Sequence, residues 1–300
     1  MKCPVPPHCS SLQEALTTLF GPNATITDRE RILGGYSNDA TALTLSDGTR
    51  IFMKSNRREN EAFFHAEAVG LSAIAENGTI RTPQILATGV DGDRSFLLLE
   101  YIDWRQRRTE YWQKFARELA AMHRMPAGSF VGGGSFGFME DNFIGSRPQK
   151  NTPADSWIVF FRDCRLRPQY EDAARSLDRA DRARFETLLR SLDRWLVEPD
   201  QPSLLHGDLW SGNVMTGNDG KAWLVDPAAY VGHREADLAM TELFGGFPQS
   251  FYDIYNAAYP LQPGYAQRRD LYNLYHLLNH LNMFGSGYRT SVLRVLTEYV

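Results

Sequence analysis

The chain has 300 residues, 43% hydrophobic and 23% charged, with 32 lysines and arginines against 36 aspartates and glutamates and a net charge of −4. That length suits one large domain or two medium ones and can bury a substantial core, while the mildly acidic balance argues against a nucleic-acid binder. No apolar run reaches the roughly 18 residues of a membrane helix or forms an N-terminal secretory signal, and the three cysteines (Cys3, Cys9, Cys164) make no disulfide or zinc framework, so a cytoplasmic protein is expected.

Residues 41–45 and 50–54 alternate as short strands, joined through Ser46-Asp47-Gly48-Thr49 as a hairpin. Residues 59–75 then read as a helix stopped near Asn77-Gly78. Thr82-Pro83 opens an extended stretch, and residues 95–101 are apolar enough for a buried strand. From Arg108 the pattern turns helical, with helices expected over 111–124, 178–197 and 268–284. Arg105, Arg107 and Arg108 form a small basic cluster that reads as the solvated start of a helix, the alternative being a phosphate site. One β interruption, 214–225, is turned at Asn218-Asp219-Gly220. The expected fold is α+β and bilobal, with a β-rich N-terminal lobe (1–102) and a mainly helical C-terminal lobe (103–300).

The most informative stretch is His206-Gly207-Asp208-Leu209-Trp210-Ser211-Gly212-Asn213, followed by Asp226-Pro227-Ala228 at the end of the β interruption. In a phosphotransferase of the protein-kinase type, one Asp receives the acceptor hydroxyl's proton. An Asn five residues on and a second Asp after a short hairpin hold Mg²⁺ on the nucleotide. Asp208, Asn213 and Asp226 have that order and spacing.

Lys54 closes a strand, and the helix after it carries a matching acid. With Phe63 at 0° on a wheel of about 100° per residue, Glu67 falls at about 40°, between Ile74 at about 20° and Leu71 at about 80°. A carboxylate within an apolar stripe needs a cation, and a strand lysine beneath the helix supplies one. That is the Lys–Glu pair that orients a lysine toward the α- and β-phosphates, the alternative being Glu67 snorkelling from the helix edge. Gly34 and Gly35, upstream of Lys54, are placed to let backbone N–H groups cover the phosphates, or to mark an ordinary turn. Leu99, Glu100, Tyr101 and Ile102 would run into an inter-lobe hinge whose backbone binds adenine.

Asp237 either braces the catalytic loop, through its backbone or His206, or caps a helix. His276 and His280 stand four residues apart with no third metal ligand, and read as core or substrate-facing. The chain lacks a P-loop, a Gly-x-Ser-x-Gly elbow, a His-Glu-x-x-His pair and a Rossmann fingerprint.

With these residues in view, the chain resembles the fructosamine kinase (ketosamine-3-kinase) family, related to aminoglycoside and choline phosphotransferases. The resemblance runs from about residue 32 to 285. It is carried by residues 136–145 (Phe-Gly-Phe-Met-Glu-Asp-Asn-Phe-Ile-Gly), Pro148-Gln149, 206–213, 226–237 and 275–282. It implies ATP- and Mg²⁺-dependent phosphorylation of the sugar 3-hydroxyl of ketosamines, giving a 3-phosphate that eliminates and frees the amine. Carried onto this chain, Asp208 would be the base, Asn213 and Asp226 the Mg²⁺ ligands, and Lys54 with Glu67 the phosphate clamp. Trp210 would face the sugar, with His233 and Glu235 on the acceptor side. Many members carry a cysteine in the glycine-rich loop, linked to redox-sensitive dimerisation. Tyr36 stands in that region here, so that regulation is not carried over.

Two other readings stay open at this point. A kinase of choline, an aminoglycoside or another sugar would share the nucleotide chemistry. A pseudokinase binding module would lack turnover, although Lys54, Glu67, Asp208, Asn213 and Asp226 occurring together argues against it.

Overall fold

The computed structural model describes residues 6–32, 38–103 and 105–300; Gly34 and Gly35 therefore lie outside the described residues. The chain opens with strand β1 (His8–Cys9) and helix α1 (Leu12–Phe20), then β2 (Ile26–Ile32), β3 (Asp39–Leu45), β4 (Arg50–Arg57), helix α2 (Glu61–Asn77), β5 (Ile85–Asp91) and β6 (Arg94–Glu100). Six strands form one sheet in the order β1-β5-β6-β4-β3-β2, antiparallel except for the β1–β5 pair.

Both faces of this sheet are covered. Leu43, Leu45, Ile51, Met53, Phe96 and Leu98 pack with Ala15 and Leu16 of α1. Leu97 and Leu99, pointing the other way along β6, pack with Phe64, Ala68 and Leu71 of α2. That two-sided burial is why β6 reads as an unbroken apolar run rather than an alternating one. Strand pleating also sets Lys54. Ile51 and Met53 join the α1 side and Phe52 the α2 side, so Lys54, two residues on, points toward α2. Helix α2 ends at Gly78, whose left-handed φ of 74° closes it where the sequence suggested.

Helix α3 (Tyr111–Arg124) leads into the second part of the chain. There follow a small hairpin, β7 (Asn142–Ile144) and β8 (Arg147–Gln149), then α4 (Trp157–Phe160), which passes through a π-helical stretch (Phe161–Leu166) into α5 (Arg167–Ala173). Next come α6 (Arg179–Arg190), β9 (Ser203–Leu205), the hairpin β10 (Val214–Thr216) and β11 (Ala222–Leu224), β12 (Tyr230–Gly232), α7 (Glu235–Leu243), α8 (Gln249–Ala258), α9 (Tyr265–Phe284) and α10 (Arg289–Tyr299).

Helix α6 is shorter than the expected 178–197. Asp178 caps its start, but the Ser191 hydroxyl takes the Thr187 carbonyl and a separate turn follows at Leu192–Arg194. Helix α9 begins at Tyr265 rather than Arg268, behind Gly264 at φ 86°.

The chain folds into two compact units. One comprises residues 1–111 and 214–227; the other comprises 112–213 and 228–300. The β10–β11 hairpin thus groups with the strand-rich unit, through the Arg81 carbonyl, which accepts from the Leu224 N–H (2.9 Å), and a bridge between Arg81 and Trp223. A division at 102/103 counts it with the helices.

Candidate active site

In the strand-rich unit the pleat of β4 and the wheel of α2 bring Lys54 and Glu67 together. The Lys54 Nζ donates to Glu67 Oε1 at 2.7 Å, and both side chains are buried. Phe64, Ala68 and Leu71 form the apolar stripe of α2, with Phe63 only partly buried, so Glu67 sits at the stripe's edge where the strand lysine reaches it. Lys54 also donates to Asp226, which lies two residues beyond β11. Burial opposes charge on the lysine, yet Asp226 and Glu67 hold its ammonium above the ordinary lysine range. Burial pushes the Glu67 carboxyl up to about 7, against the pull of Lys54. Asp226 has φ 55°, a left-handed conformation that Asp tolerates, and its side chain is half exposed. The arrangement is a buried cation held between two acids, one of them open to solvent.

Leu99 is buried in β6, and Glu100 ends the strand with its N–H on the Gln84 carbonyl. Tyr101 lies under the Arg50 guanidinium at 3.9 Å, and Ile102 is buried.

The helical unit holds the His206–Asn213 loop. β9 pairs with β12, and beyond it the Ala228 N–H donates to the His206 carbonyl at 2.9 Å. Between them Gly207 has φ 81°, and a Cβ there would meet the Ala228 carbonyl oxygen at 2.0 Å. Only glycine fits the middle of His-Gly-Asp. Asp237 accepts from the His206 N–H (2.8 Å) and the Gly207 N–H (2.9 Å), so it braces the loop through its backbone. Burial opposes ionisation of Asp237, but hydrogen bonding from His123 and the loop N–H groups holds its carboxyl below the usual range. His123 is pushed down by burial and stays neutral; with Tyr255 on Nδ1 (2.7 Å), Nε2 carries the proton given to Asp237.

Asn213 donates its side-chain N–H to Asp208, to the carbonyl at 2.9 Å and to Oδ2 at 3.2 Å. This leaves Asn213 Oδ1 as the acceptor end of the amide. Asn213 and Asp226 therefore each offer a hard oxygen. Each by itself is the kind of donor Mg²⁺ takes, since that ion binds through one or two protein oxygens and fills its shell with water and substrate phosphates. Among the described residues no group of three or more His, Cys, Asp or Glu makes a protein-only metal cage.

Trp210 is half-buried, its ring lying over Gly212, where a Cβ would meet the indole at 2.2 Å. His233 and Glu235, suggested for the acceptor side, are both buried. Arg268 donates to both Glu235 oxygens (2.8 and 2.7 Å), and the whole pair is buried. His233 is buried against Gln262 and pushed down to about 3 by that burial. Both belong to the core, because a carboxylate satisfied bidentately by arginine has no reason to face a substrate.

The 136–149 tracts have a structural role. Asn142 donates to the Ala229 carbonyl (2.7 Å) and Gln149 to the Ala228 carbonyl (3.0 Å). Tyr275 donates to Gln149 Oε1 (2.6 Å), and Arg165 reaches Asn151, which in turn donates to Asn142. This buried network fixes the backbone just after Asp226-Pro227. His276 lies beside Asp208, its Nδ1 3.9 Å from Asp208 Oδ1.

A strand-rich unit with a clamped lysine, and a helical unit presenting a braced Asp and Asn, define a protein-kinase-like phosphotransferase of small molecules. The fructosamine kinase family model matches residues 9–300, and the chain belongs to that family. It is 40% identical to a probable ketoamine kinase of Synechocystis, covering 98% of this chain and 97% of that one. Its identity to the chloroplastic protein-ribulosamine 3-kinase of Arabidopsis thaliana is 39%, over 93% and 85%. A crystal structure from Haemophilus somnus, described as a "putative fructosamine-3-kinase", superposes with a TM-score of 0.86 at 29% identity, covering 97% of each chain. A choline kinase from Streptococcus pneumoniae shares the fold alone, with a TM-score of 0.60 at 14% identity over 96% and 97%.

Proposed function

We propose that this protein transfers the γ-phosphoryl group of ATP to the 3-hydroxyl of a ketosamine, a fructose- or ribulose-derived adduct of an amine. The observation that carries the reaction class is Asp208, pinned by Asn213 in a loop whose backbone Asp237 holds. A general base works only when kept within hydrogen-bond reach of its proton. Family membership and the ribulosamine 3-kinase relative support the acceptor.

Asp208 Oδ accepts the hydroxyl proton and aligns the oxygen for in-line attack. Lys54, held by Glu67, turns its ammonium from Asp226 toward the phosphates of the bound nucleotide. The backbone of 99–102 meets the adenine. Asn213 and Asp226 would hold Mg²⁺, which when bound neutralises phosphate charge. Trp210 faces the sugar. No covalent enzyme intermediate is needed. Product loss by elimination would free the amine, a repair of glycation.

Among the described residues no helix is long and apolar enough to cross a membrane. Cys9 and Cys164 are buried thiols, which supports a reducing, cytoplasmic setting. The test is coupled ATP turnover on fructosyl-lysine, ribulosyl-lysine, choline and an aminoglycoside, with Asp208→Asn as the blank. Turnover on a ketosamine alone is expected; turnover only on another acceptor refutes the acceptor assignment.

A further inference from the structure

Helix α9 carries His276, His280 and Phe284 at successive four-residue steps, so they share one face and climb about 6 Å per step. The face starts at Asp208, 3.9 Å from His276, and ends at Phe284, which is 50% exposed. A run of rings continues it. Trp210, two residues from Asp208, meets Phe244 edge-on with centroids 6.3 Å apart. Phe244 contacts His280 at 5.1 Å, and His280 contacts Phe284 at 5.4 Å and Tyr288 at 5.0 Å. Phe244 is 42% exposed. An aromatic track left open to water, continuous with the catalytic loop, is the kind of surface that binds a ligand rather than a core that ran out of cover.

The acceptor supplies the complement. In a ketosamine the amine nitrogen sits on C1, two carbons from the carbon bearing the reacting hydroxyl. It is a secondary amine, protonated near neutral pH, and it carries the rest of the amine outward. With the 3-hydroxyl on Asp208, the ammonium falls only a few ångströms away, and ring faces attract such a cation. The track does not oppose it with charge. Burial holds His280 below its ordinary range, so the imidazole is neutral, and Arg289, beside Tyr288, is taken by Asp181 at 2.7 Å.

We propose that Phe244, His280, Phe284 and Tyr288, leading off from Trp210, form an aromatic track that receives the protonated amine of the acceptor and the chain it carries. This rests on the ketosamine reading above. It adds that acceptor choice is made by the cationic arm as well as the sugar, and that a ketose without the amine is a poor substrate.

The experiment compares KM for fructosyl-lysine with KM for the matched 1-O-alkyl ether, in which oxygen replaces the charged nitrogen. The full-length protein is used with Phe284→Leu, Phe244→Leu and Phe284→Tyr. The unmodified protein should prefer the ammonium substrate. Each leucine variant, which keeps the apolar bulk but loses the ring, should cut that preference about 2- to 30-fold, the range of one cation–π contact. Phe284→Tyr should retain it. A preference unchanged in both leucine variants, or lost equally in Phe284→Tyr, overturns the track while leaving the kinase reading intact. Phosphorylation of neither substrate by the unmodified protein, with turnover of another acceptor, overturns both.

Discussion

The two units hold their reactive groups in different ways. In the strand-rich unit, Lys54 is set by charge, shared between Glu67 and Asp226. In the helical unit, Asp208 is set by backbone, with loop N–H groups donating to Asp237 and Gly207 locked against Ala228. Charge can be re-partnered, so in the proposed reaction the lysine exchanges Asp226 for a nucleotide phosphate at little structural cost. A backbone lock cannot. Under the proposed function the difference suits the tasks, since the nucleotide side must accommodate a highly charged ligand and the base must stay within hydrogen-bond reach of one hydroxyl.

Four changes would break or sharpen that contrast. Asp208→Asn should lower kcat by about 10³-fold or more while Mg-ATP binding, measured calorimetrically, stays within about twofold. Gly207→Ala tests the backbone lock. The Cβ clash and the positive φ should cost about 3 kcal/mol or more in urea unfolding, with activity lost even in the folded fraction. Lys54→Met should act mainly on the nucleotide side, raising the KM for ATP about 10- to 100-fold with a smaller loss of stability. Unfolding near Gly207 on replacing Lys54 would contradict the division.

The smallest expected effect is a pH slope. Burial lowers the folded pKa of His233 to about 3, from near 6.5 in the unfolded chain. The folded state therefore binds fewer protons, so stability from this group is full above about 6.5 and lost as pH falls toward 3. His233→Asn should reduce the acid-side slope by about 1.4 kcal/mol per pH unit between pH 6 and 4, read from urea midpoints. An unchanged slope would mean that His233 is protonated in the folded protein.

What could be read from the sequence followed local periodicity. The pleat of β4 and the wheel of α2 are both short-range, and together they foretold the Lys54–Glu67 contact. The loop from His206 to Asn213 is one contiguous spacing, and Asp237 was already a candidate brace. The Lys54–Asp226 contact spans 172 residues and has no such code, and only the kinase order hinted at it. Asn142, Gln149 and Tyr275 were conspicuous without a role, because neutral amides have no charge or period that points to a partner. Glu235 looked available to a substrate until Arg268, 33 residues on, was seen to take both its oxygens. Helix α1 was missed although Ser11 and Glu14 announce it. The Ser11 hydroxyl accepts from the Glu14 N–H, and the Glu14 carboxylate reaches back to the Ser10 N–H.

The passage of the chain between units has a consequence for its synthesis. Asp226 belongs to a unit whose six-stranded sheet is finished at Glu100, because 214–227 is contributed after the first part of the helical unit has been made. The strand-rich unit is complete only once Pro227 has emerged, so no single cut in the gene yields it as one uninterrupted fragment.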